Sequence, residues 1–253
     1  MIDMFNLKGK NAIVVGGAGD LGVEMLEGFL EAGAAVVVID VNKSVIDIAN
    51  KNASRGFNIY PIIADISDRN QIRSSYNEAL KIFGGKVDIL LNSAGIQRRY
   101  QSEDFPENEW DNVLNINLTA TFLYCQLAAK NMISQGSGKI INIASMQSFF
   151  GGMTIPAYAA SKGGVALLTK ALSNDWASKG INVNAIAPGY MNTRLNTALI
   201  NDSVRNTEVL SRIPMKRWGT GKDMKGLAVF LASSASDYIS GAIIPVDGGY
   251  LGR

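Results

Sequence analysis

Short runs of apolar, often β-branched residues recur along the chain at nearly regular distances. They predict buried strands at residues 12–15, 35–39, 59–63, 87–91, 139–143, 181–187 and 242–246. The apolar residues in these runs are mostly consecutive rather than alternating, which is typical of strands in a parallel sheet that is covered on both faces.

Longer segments with a helical spacing of apolar residues separate these runs. They predict helices near residues 20–32, 43–53, 68–83, 107–134, 157–178 and 221–232. Strand–helix alternation implies right-handed crossovers between parallel strands. The predicted fold class is therefore α/β, a single-domain Rossmann fold with a doubly wound parallel sheet of about seven strands and helices on both faces.

The chain shows no sign of a domain boundary. It has no Pro/Ser-rich linker, charge block or internal repeat, so we predict one domain over residues 1–253. The segment 190–217 is long, polar and without a strand pattern. A long excursion in a compact domain is usually functional, so we predict a lid or substrate-binding loop there.

Composition excludes several kinds of chemistry. The chain contains no His, so a His-based zinc site, a Ser–His–Asp triad and an imidazole base are ruled out, and we expect no metal. Proton transfer must then use Tyr, Lys, a carboxylate or Cys125. With 24 basic and 22 acidic side chains, the net charge of +2 gives no reason to expect nucleic acid or an anionic membrane as a partner.

Targeting signals are absent from the sequence pattern. The start lacks a basic-then-apolar signal, and no apolar run reaches the roughly 18 residues of a membrane helix. The single cysteine cannot form an internal disulfide, which fits a reducing compartment. We therefore expect a cytoplasmic protein with no membrane partner.

A glycine-rich turn follows the first predicted strand and opens the first predicted helix. Residues 15–22 read Val-Gly-Gly-Ala-Gly-Asp-Leu-Gly. Glycines keep such a turn tight and let backbone N–H groups approach a pyrophosphate at the positive end of the helix. This context favours a dinucleotide site over an ordinary strand–helix turn.

Asp40 ends the second predicted strand, about 20 residues after the glycines. A carboxylate there can accept hydrogen bonds from both hydroxyls of an adenosine ribose and would repel a 2′-phosphate. No Arg or Lys lies within the glycine turn. We therefore expect NAD rather than NADP. The alternative interpretation of Asp40 is a solvated acid at the end of a strand or a helix cap.

Tyr158 and Lys162 lie one helical turn apart on the same face of a predicted helix. Such pairs also occur on plain surfaces, but Ser145 follows the strand 139–143 at the sheet edge where ligands bind. A phenol with a pKa of about 10 is a poor base near neutral pH unless a cation such as Lys162 stabilises the phenolate. Ser145 can hydrogen-bond the substrate oxygen, so this trio is the best acid–base set in the chain.

In their order and spacing these motifs resemble the short-chain dehydrogenase/reductase family over the whole chain. The further matching motifs are Asp65, residues 92–95, 115–118 and 188–189, and residues 246–249. The resemblance implies a catalytic tetrad of Asn117, Ser145, Tyr158 and Lys162.

The resemblance also implies how the cofactor is held. Asp65 would face the adenine, Asn92 would lie on the cofactor side of the cleft, and Thr193 would hold the nicotinamide amide. The complete expected cofactor set is Gly16, Ala18, Gly19, Asp20, Leu21, Gly22, Asp40, Asp65, Ile66, Asn92, Ala94, Gly95, Tyr158, Lys162, Pro188, Gly189, Met191 and Thr193.

Two positions depart from the family pattern. Asp20 stands where the turn normally has glycine, and Ser93 stands where asparagine is usual. We prefer the interpretation that Asp20 caps the helix after it. The alternative is that its carboxylate weakens the binding of a pyrophosphate.

Residues 141–147, 151–152, 184–191, 213–219 and 230–238 are similar to sugar-acid dehydrogenases within the family. The similarity implies hydride transfer between NAD and a secondary alcohol or ketone of a sugar acid, of the 2-deoxy-D-gluconate or 2-keto-3-deoxygluconate type. Gluconate 5-dehydrogenases share much of it and stand as an alternative.

An acidic sugar requires a cation near its carboxylate and polar groups along its hydroxyls. We expect the substrate to contact Ser145 and Tyr158, together with Arg98 and Gln147. The other candidates for the cation are Arg99, Arg194 and Arg217.

Two other functions fit parts of the sequence. A 3-oxoacyl carrier-protein reductase usually prefers NADP, which Asp40 disfavours. A non-catalytic NAD sensor typically lacks the Tyr or the Lys that this chain retains. The family also implies a homotetramer in which helices 107–134 and 157–178 pair across one interface.

Overall fold

The computed structural model describes residues 3–252, which form one seven-stranded, all-parallel sheet in the order β3-β2-β1-β4-β5-β6-β7. The strands are β1 (Asn11–Val15), β2 (Ala35–Asp40), β3 (Ile59–Ile63), β4 (Ile89–Asn92), β5 (Gly138–Ile143), β6 (Ile181–Pro188) and β7 (Ile243–Val246). The predicted fold class is confirmed, and each predicted strand is present with its ends moved by at most two residues.

The described residues contain nine α-helices. They are α1 (Gly22–Glu31), α2 (Ser44–Ala53), α3 (Arg69–Ile82), α4 (Glu107–Leu114), α5 (Ala120–Gln135), α6 (Pro156–Trp176), α7 (Thr197–Asn201), α8 (Ser203–Arg212) and α9 (Gly221–Ala232). None of the helices between residues 3 and 252 has the length and hydropathy needed to cross a membrane.

Strand β1 shows why the apolar runs are continuous. Ala12 and Val14 pack on one face of the sheet, in the cluster that includes residues of α1 and α9. Ile13 and Val15 pack on the other face, in the cluster that includes residues of α3 and α5. Because both faces are covered, every position of the strand favours an apolar side chain.

The direction of winding reverses at β1. From this strand the chain moves to β2 and β3 on one side, and then returns to place β4 on the other side. In such sheets a crevice opens at the carboxyl ends of the strands at this switch point. The glycine turn follows β1, and Asp40 and Asn92 end β2 and β4, so these three features meet at the crevice.

Two predicted segments differ in form. The helix predicted over residues 107–134 is divided into α4 and α5 by a π-helical turn, Asn115–Thr119. The segment 190–217, for which we predicted a lid or substrate-binding loop, is not irregular throughout, because it contains a 3-10 turn at Arg194–Asn196 followed by α7 and α8. Asp202 begins α8 by accepting hydrogen bonds from two backbone N–H groups.

Candidate active site

A cavity of about 260 Å³ lies at the carboxyl edge of the sheet. The expected cofactor residues that line it are Gly16, Ala18, Gly19, Asp40, Asp65, Ile66, Ala94 and Gly95, and they are joined by Arg194. Met191 lines a separate cavity of about 300 Å³, together with Arg217 and Asp247. The first cavity therefore brings together about half of the expected cofactor set.

Two glycines of the turn occupy positions where a side chain would not fit. Gly16 has φ +80°, and a Cβ on it would collide with the backbone nitrogen of Ala94. A Cβ on Gly22 would collide with the carbonyl oxygen of Gly16. At Gly19, by contrast, a Cβ would meet only that carbonyl oxygen, at 3.4 Å. The residues present thus form a close-packed turn with an open side, which fits a pyrophosphate.

Asp40 is tied to the same turn. Its Oδ2 accepts from the backbone N–H of Ala18 at 3.0 Å, and its Oδ1 accepts from the N–H of Asn42 at 3.0 Å. It does not cap α2, which begins after Lys43 without a side-chain cap. The carboxylate is thereby fixed at the cavity wall, where it would repel a 2′-phosphate.

Asp20 does not cap α1, so our preferred interpretation is wrong. Leu21 occupies the N-cap position and makes no side-chain cap. The carboxylate of Asp20 instead accepts from the backbone N–H and the Nε of Arg194, at 2.7 and 2.9 Å. Arg194 also donates from Nη2 to the carbonyl oxygen of Ala18 at 3.0 Å. The segment after β6 is therefore fastened to the glycine turn.

Ser145 lies in the turn that follows β5. Its Oγ accepts from the N–H of Gln147 at 3.1 Å, and its own N–H donates to Ser148 Oγ at 3.3 Å. Ser148 in turn donates to the carbonyl oxygen of Lys162 at 2.7 Å. The reciprocal cap fixes the Ser145 turn, and the hydrogen bond from Ser148 to Lys162 holds the turn against α6.

Tyr158 and Lys162 project from α6 towards this turn. The Nζ of Lys162 donates to the carbonyl oxygen of Ile143 at 2.6 Å and lies 5.8 Å from the centroid of the Tyr158 ring. Burial lowers the pKa of Lys162 to about 8. Burial raises the pKa of Tyr158, and a hydrogen bond with Ser145 opposes this rise. Desolvation is the larger of these two effects on the pKa of Tyr158.

Asn117 lies in the π-helical turn and is fully buried. Its side chain donates to the carbonyl oxygen of Ile96 and accepts from the N–H of Ile96, at 2.9 and 2.8 Å. It also donates to Ser161 Oγ at 3.0 Å. A Cβ on Gly95 would lie 3.4 Å from Asn117 Oδ1 and 3.5 Å from Lys162 Nζ, so both polar groups face the same small space.

A buried polar network underlies the site, and sequence reasoning missed most of it. Asn92 donates to Asn142 Oδ1 at 2.9 Å and to Cys125 Sγ at 3.3 Å. Asn142 donates to Thr169 Oγ1 at 3.0 Å. Burial raises the pKa of Cys125 to about 12, so this thiol is not a nucleophile near neutral pH. Asn142, a polar residue within the apolar run 139–143, was the sequence signal that could have indicated this network.

Most of the candidate substrate cations are already paired. Arg98 donates from Nε to Glu109 at 2.9 Å, and Arg217 forms a two-bond pair with Asp223. Of the four candidate arginines, only Arg99 carries no ion pair within residues 3–252. Gln147 offers a buried Oε1 that has no hydrogen-bond partner in the described part of the chain.

The chain is similar to known proteins over nearly its whole length. A family model described as enoyl-(acyl carrier protein) reductase matches residues 17–251. A 2-dehydro-3-deoxy-D-gluconate 5-dehydrogenase of Bacillus subtilis (strain 168) is 45% identical over 251 residues, covering 99% of this chain and 98% of that protein. The corresponding enzyme of Escherichia coli (strain K12) is 45% identical over 254 residues, with both chains fully covered.

Among solved structures, a gluconate 5-dehydrogenase from Burkholderia cenocepacia J2315 in complex with NADP and tartrate superposes with a TM-score of 0.95. It is 39% identical, and the match covers 99% of this chain and 98% of that one. The chain is thus similar to these proteins over nearly its whole length, both in sequence and in structure. The chain therefore belongs to the short-chain dehydrogenase/reductase family.

Proposed function

We propose that this chain is an NAD-dependent oxidoreductase that acts on a secondary alcohol or ketone of a sugar acid, with 2-dehydro-3-deoxy-D-gluconate as the preferred class of substrate. The observation that carries the proposal is that Ser145, Tyr158 and Lys162 lie together at the sheet edge that also holds the cavity lined by the glycine turn and Asp40. The 45% identity to enzymes named for that sugar acid supports the substrate class.

In this proposal each residue of the tetrad has a separate task. A nicotinamide dinucleotide, when bound in the cavity, would provide the hydride chemistry. Tyr158 exchanges the proton on the substrate oxygen, and Ser145 hydrogen-bonds the same oxygen. Lys162, held by the carbonyl oxygen of Ile143, stabilises the phenolate when the proton leaves. Asn117 is a positioning residue, because its amide is already bonded to Ile96 and Ser161.

The cavity and its rim supply the proposed cofactor contacts. Glycine-turn N–H groups would hold the pyrophosphate, and Asp40 would accept from the ribose hydroxyls. Asp65 would face the adenine, and Asn92 would lie on the cofactor side of the cleft. Thr193 would hold the nicotinamide amide. The structure of a relative contains NADP, so that relative does not support a preference for NAD. Our proposal of NAD rests only on the negative charge of Asp40 at the cavity wall. A wild-type protein that prefers NADP would contradict this assignment.

Substrate recognition needs a cation and hydroxyl partners. We propose that Arg98 or Arg99 binds the substrate carboxylate. Arg98 would do so while its Nε stays hydrogen-bonded to Glu109. The buried, unpartnered Oε1 of Gln147 is suited to accept a hydrogen bond from a sugar hydroxyl. Both features favour a polar acid over an acyl chain.

One experiment tests the function as a whole. NADH formation or consumption is followed against matched panels of keto-deoxy acids, aldonates including gluconate, neutral polyols and acyl ketones. We expect the highest kcat/KM with 2-dehydro-3-deoxy-D-gluconate, followed by NADH formation, or with the corresponding diketo acid, followed by NADH consumption. The highest kcat/KM with gluconate would favour the alternative of a gluconate 5-dehydrogenase, the activity for which the similar Burkholderia cenocepacia protein is named. An acyl ketone as best substrate would contradict the proposal.

We also propose a cytoplasmic homotetramer. The helices expected at one interface expose large apolar side chains, Phe122 on α5 and Leu167 on α6, the latter 68% exposed. Light scattering on the purified protein tests the assembly, and Leu167→Arg should shift it towards smaller species. A monomeric wild type would contradict it.

A further inference from the structure

Arg194 reaches from the segment after β6 to the glycine turn and lines the proposed cofactor cavity. We propose that Arg194 is a ligand of the cofactor pyrophosphate and that Asp20 is the residue that holds it in place. The inference rests on the proposed dinucleotide site. It assigns a role to the aspartate that replaces the usual glycine of the turn.

The charges around the cavity require a cation. Asp20 belongs to the turn where an anionic pyrophosphate would bind, and Asp40 and Asp65 add two more carboxylates to the wall of the same cavity. Arg194 is the one cationic side chain among the described residues that line the cavity. Without it, only the partial charge of the helix end and the backbone N–H groups would oppose those carboxylates.

The geometry presents the guanidinium in a fixed orientation. Asp20 binds Arg194 at both its backbone N–H and its Nε, so the main chain and the side chain are held by one carboxylate. Nη2 is aligned by the carbonyl oxygen of Ala18. Within residues 3–252 only two of the five N–H groups of the guanidinium are used, which leaves Nη1 for phosphate oxygens.

The simpler interpretation is an exposed ion pair with no role in binding. The Arg194 side chain is 66% exposed, and pairs of this kind contribute little to folding stability. That interpretation predicts no effect on ligand affinity when the pair is removed. The two interpretations therefore differ in a measurable quantity.

Calorimetric titration of the unliganded protein with NADH and with ADP-ribose tests the ligand role. ADP-ribose keeps the pyrophosphate and lacks the nicotinamide. Arg194→Gln should weaken both ligands by about tenfold or more, the size expected for the loss of a charge-assisted hydrogen bond. Arg205→Gln, an exposed arginine of the neighbouring helix α8, is the matched control and should leave both affinities unchanged.

A double substitution tests the role of Asp20. In the wild-type background Asp20→Ala should weaken the binding of both ligands, because Arg194 loses the carboxylate that fixes its orientation. In the Arg194→Gln background the same substitution should tighten them, because an uncompensated carboxylate leaves the pyrophosphate site. This reversal of sign is not expected of a plain surface pair.

Each other outcome has a distinct meaning. If the wild type binds neither ligand, the proposed function and this inference both fail. If it binds both and Arg194→Gln binds them equally well, only this inference fails. Weakening of NADH alone would also overturn it, because the arginine would then act through Thr193 on the nicotinamide side. Thermal melting of each variant checks that the fold is intact.

Discussion

Lys162 is a buried cation, and its burial predicts that the residue lowers the stability of the protein. Its side chain is 4% exposed, and its partner in the described residues is the neutral carbonyl oxygen of Ile143. Desolvation lowers the pKa from the ordinary 10.5 to about 8. We therefore expect Lys162→Met, a substitution of similar length without charge, to stabilise the fold while it removes activity.

The size of the effect follows from the pKa. A change from 10.5 to about 8 corresponds to a cost of about 3 kcal/mol at neutral pH. The substitution also removes the hydrogen bond to Ile143, which costs about 1 kcal/mol. The variant should thus be more stable than the wild type by about 2 kcal/mol near pH 6.5.

The sign of the pH dependence is also fixed. Because the folded pKa lies below the unfolded one, the folded chain loses the proton of Lys162 first as the pH rises. Between about pH 8 and 10.5 the unfolded state binds more protons, so the wild type gains stability with rising pH relative to the variant. By pH 9.5 the advantage of the variant should shrink by about 2 kcal/mol.

Urea unfolding of both proteins at pH 6.5 and 9.5, followed by circular dichroism, measures the effect. Lys170→Met, which removes an exposed lysine from the same helix α6, is the control and should change stability by less than about 0.5 kcal/mol at both pH values. Turnover and NADH affinity should fall in Lys162→Met only. A Lys162→Met protein that is no more stable than the wild type at pH 6.5, or whose advantage does not change with pH, would refute the reasoning.

Three further predictions concern the cofactor, the substrate and the glycine turn. Asp40→Ser should raise kcat/KM with NADP relative to NAD, measured with both cofactors, and an unchanged ratio would remove Asp40 from cofactor choice. Arg98→Ala or Arg99→Ala should raise KM for acidic sugars by about tenfold or more and leave KM for neutral polyols unchanged. A change below threefold in both would move the carboxylate site elsewhere. Gly16→Ala should lower the melting temperature sharply, because φ is +80° and the added Cβ collides with backbone, whereas Gly19→Ala should not. Equal melting temperatures would contradict the packing of the turn.

The sheet was predictable because its signal is local. Continuous apolar runs identify strands buried on both faces, and the glycine turn and Asp40 fall at strand ends that the topology brings together. The start of β4 was less predictable. Val87, placed in the strand by its apolar side chain, precedes it and donates its N–H to a glutamine side chain of α5 instead.

Contacts between distant residues could not be predicted. The pairing of Asp20 with Arg194 joins positions 174 residues apart, and nothing near Asp20 distinguishes it from a helix cap. The segment 190–217 looked like a loop because α8 is polar apart from a few residues such as Val209. The π-helical turn that orients Asn117 interrupts a helical pattern without a proline or glycine to mark it.

The assignment of Tyr158 as the proton-transfer group is the central claim, and removing one oxygen atom tests it most directly. Single-turnover and steady-state rates of Tyr158→Phe with a sugar-acid substrate are measured beside its affinity for NADH. The account predicts that kcat falls by at least ~100-fold, the low end for a positioned acid–base group, while the Kd for NADH stays within about twofold. A Tyr158→Phe enzyme that binds NADH and turns over at a near-normal rate would contradict it.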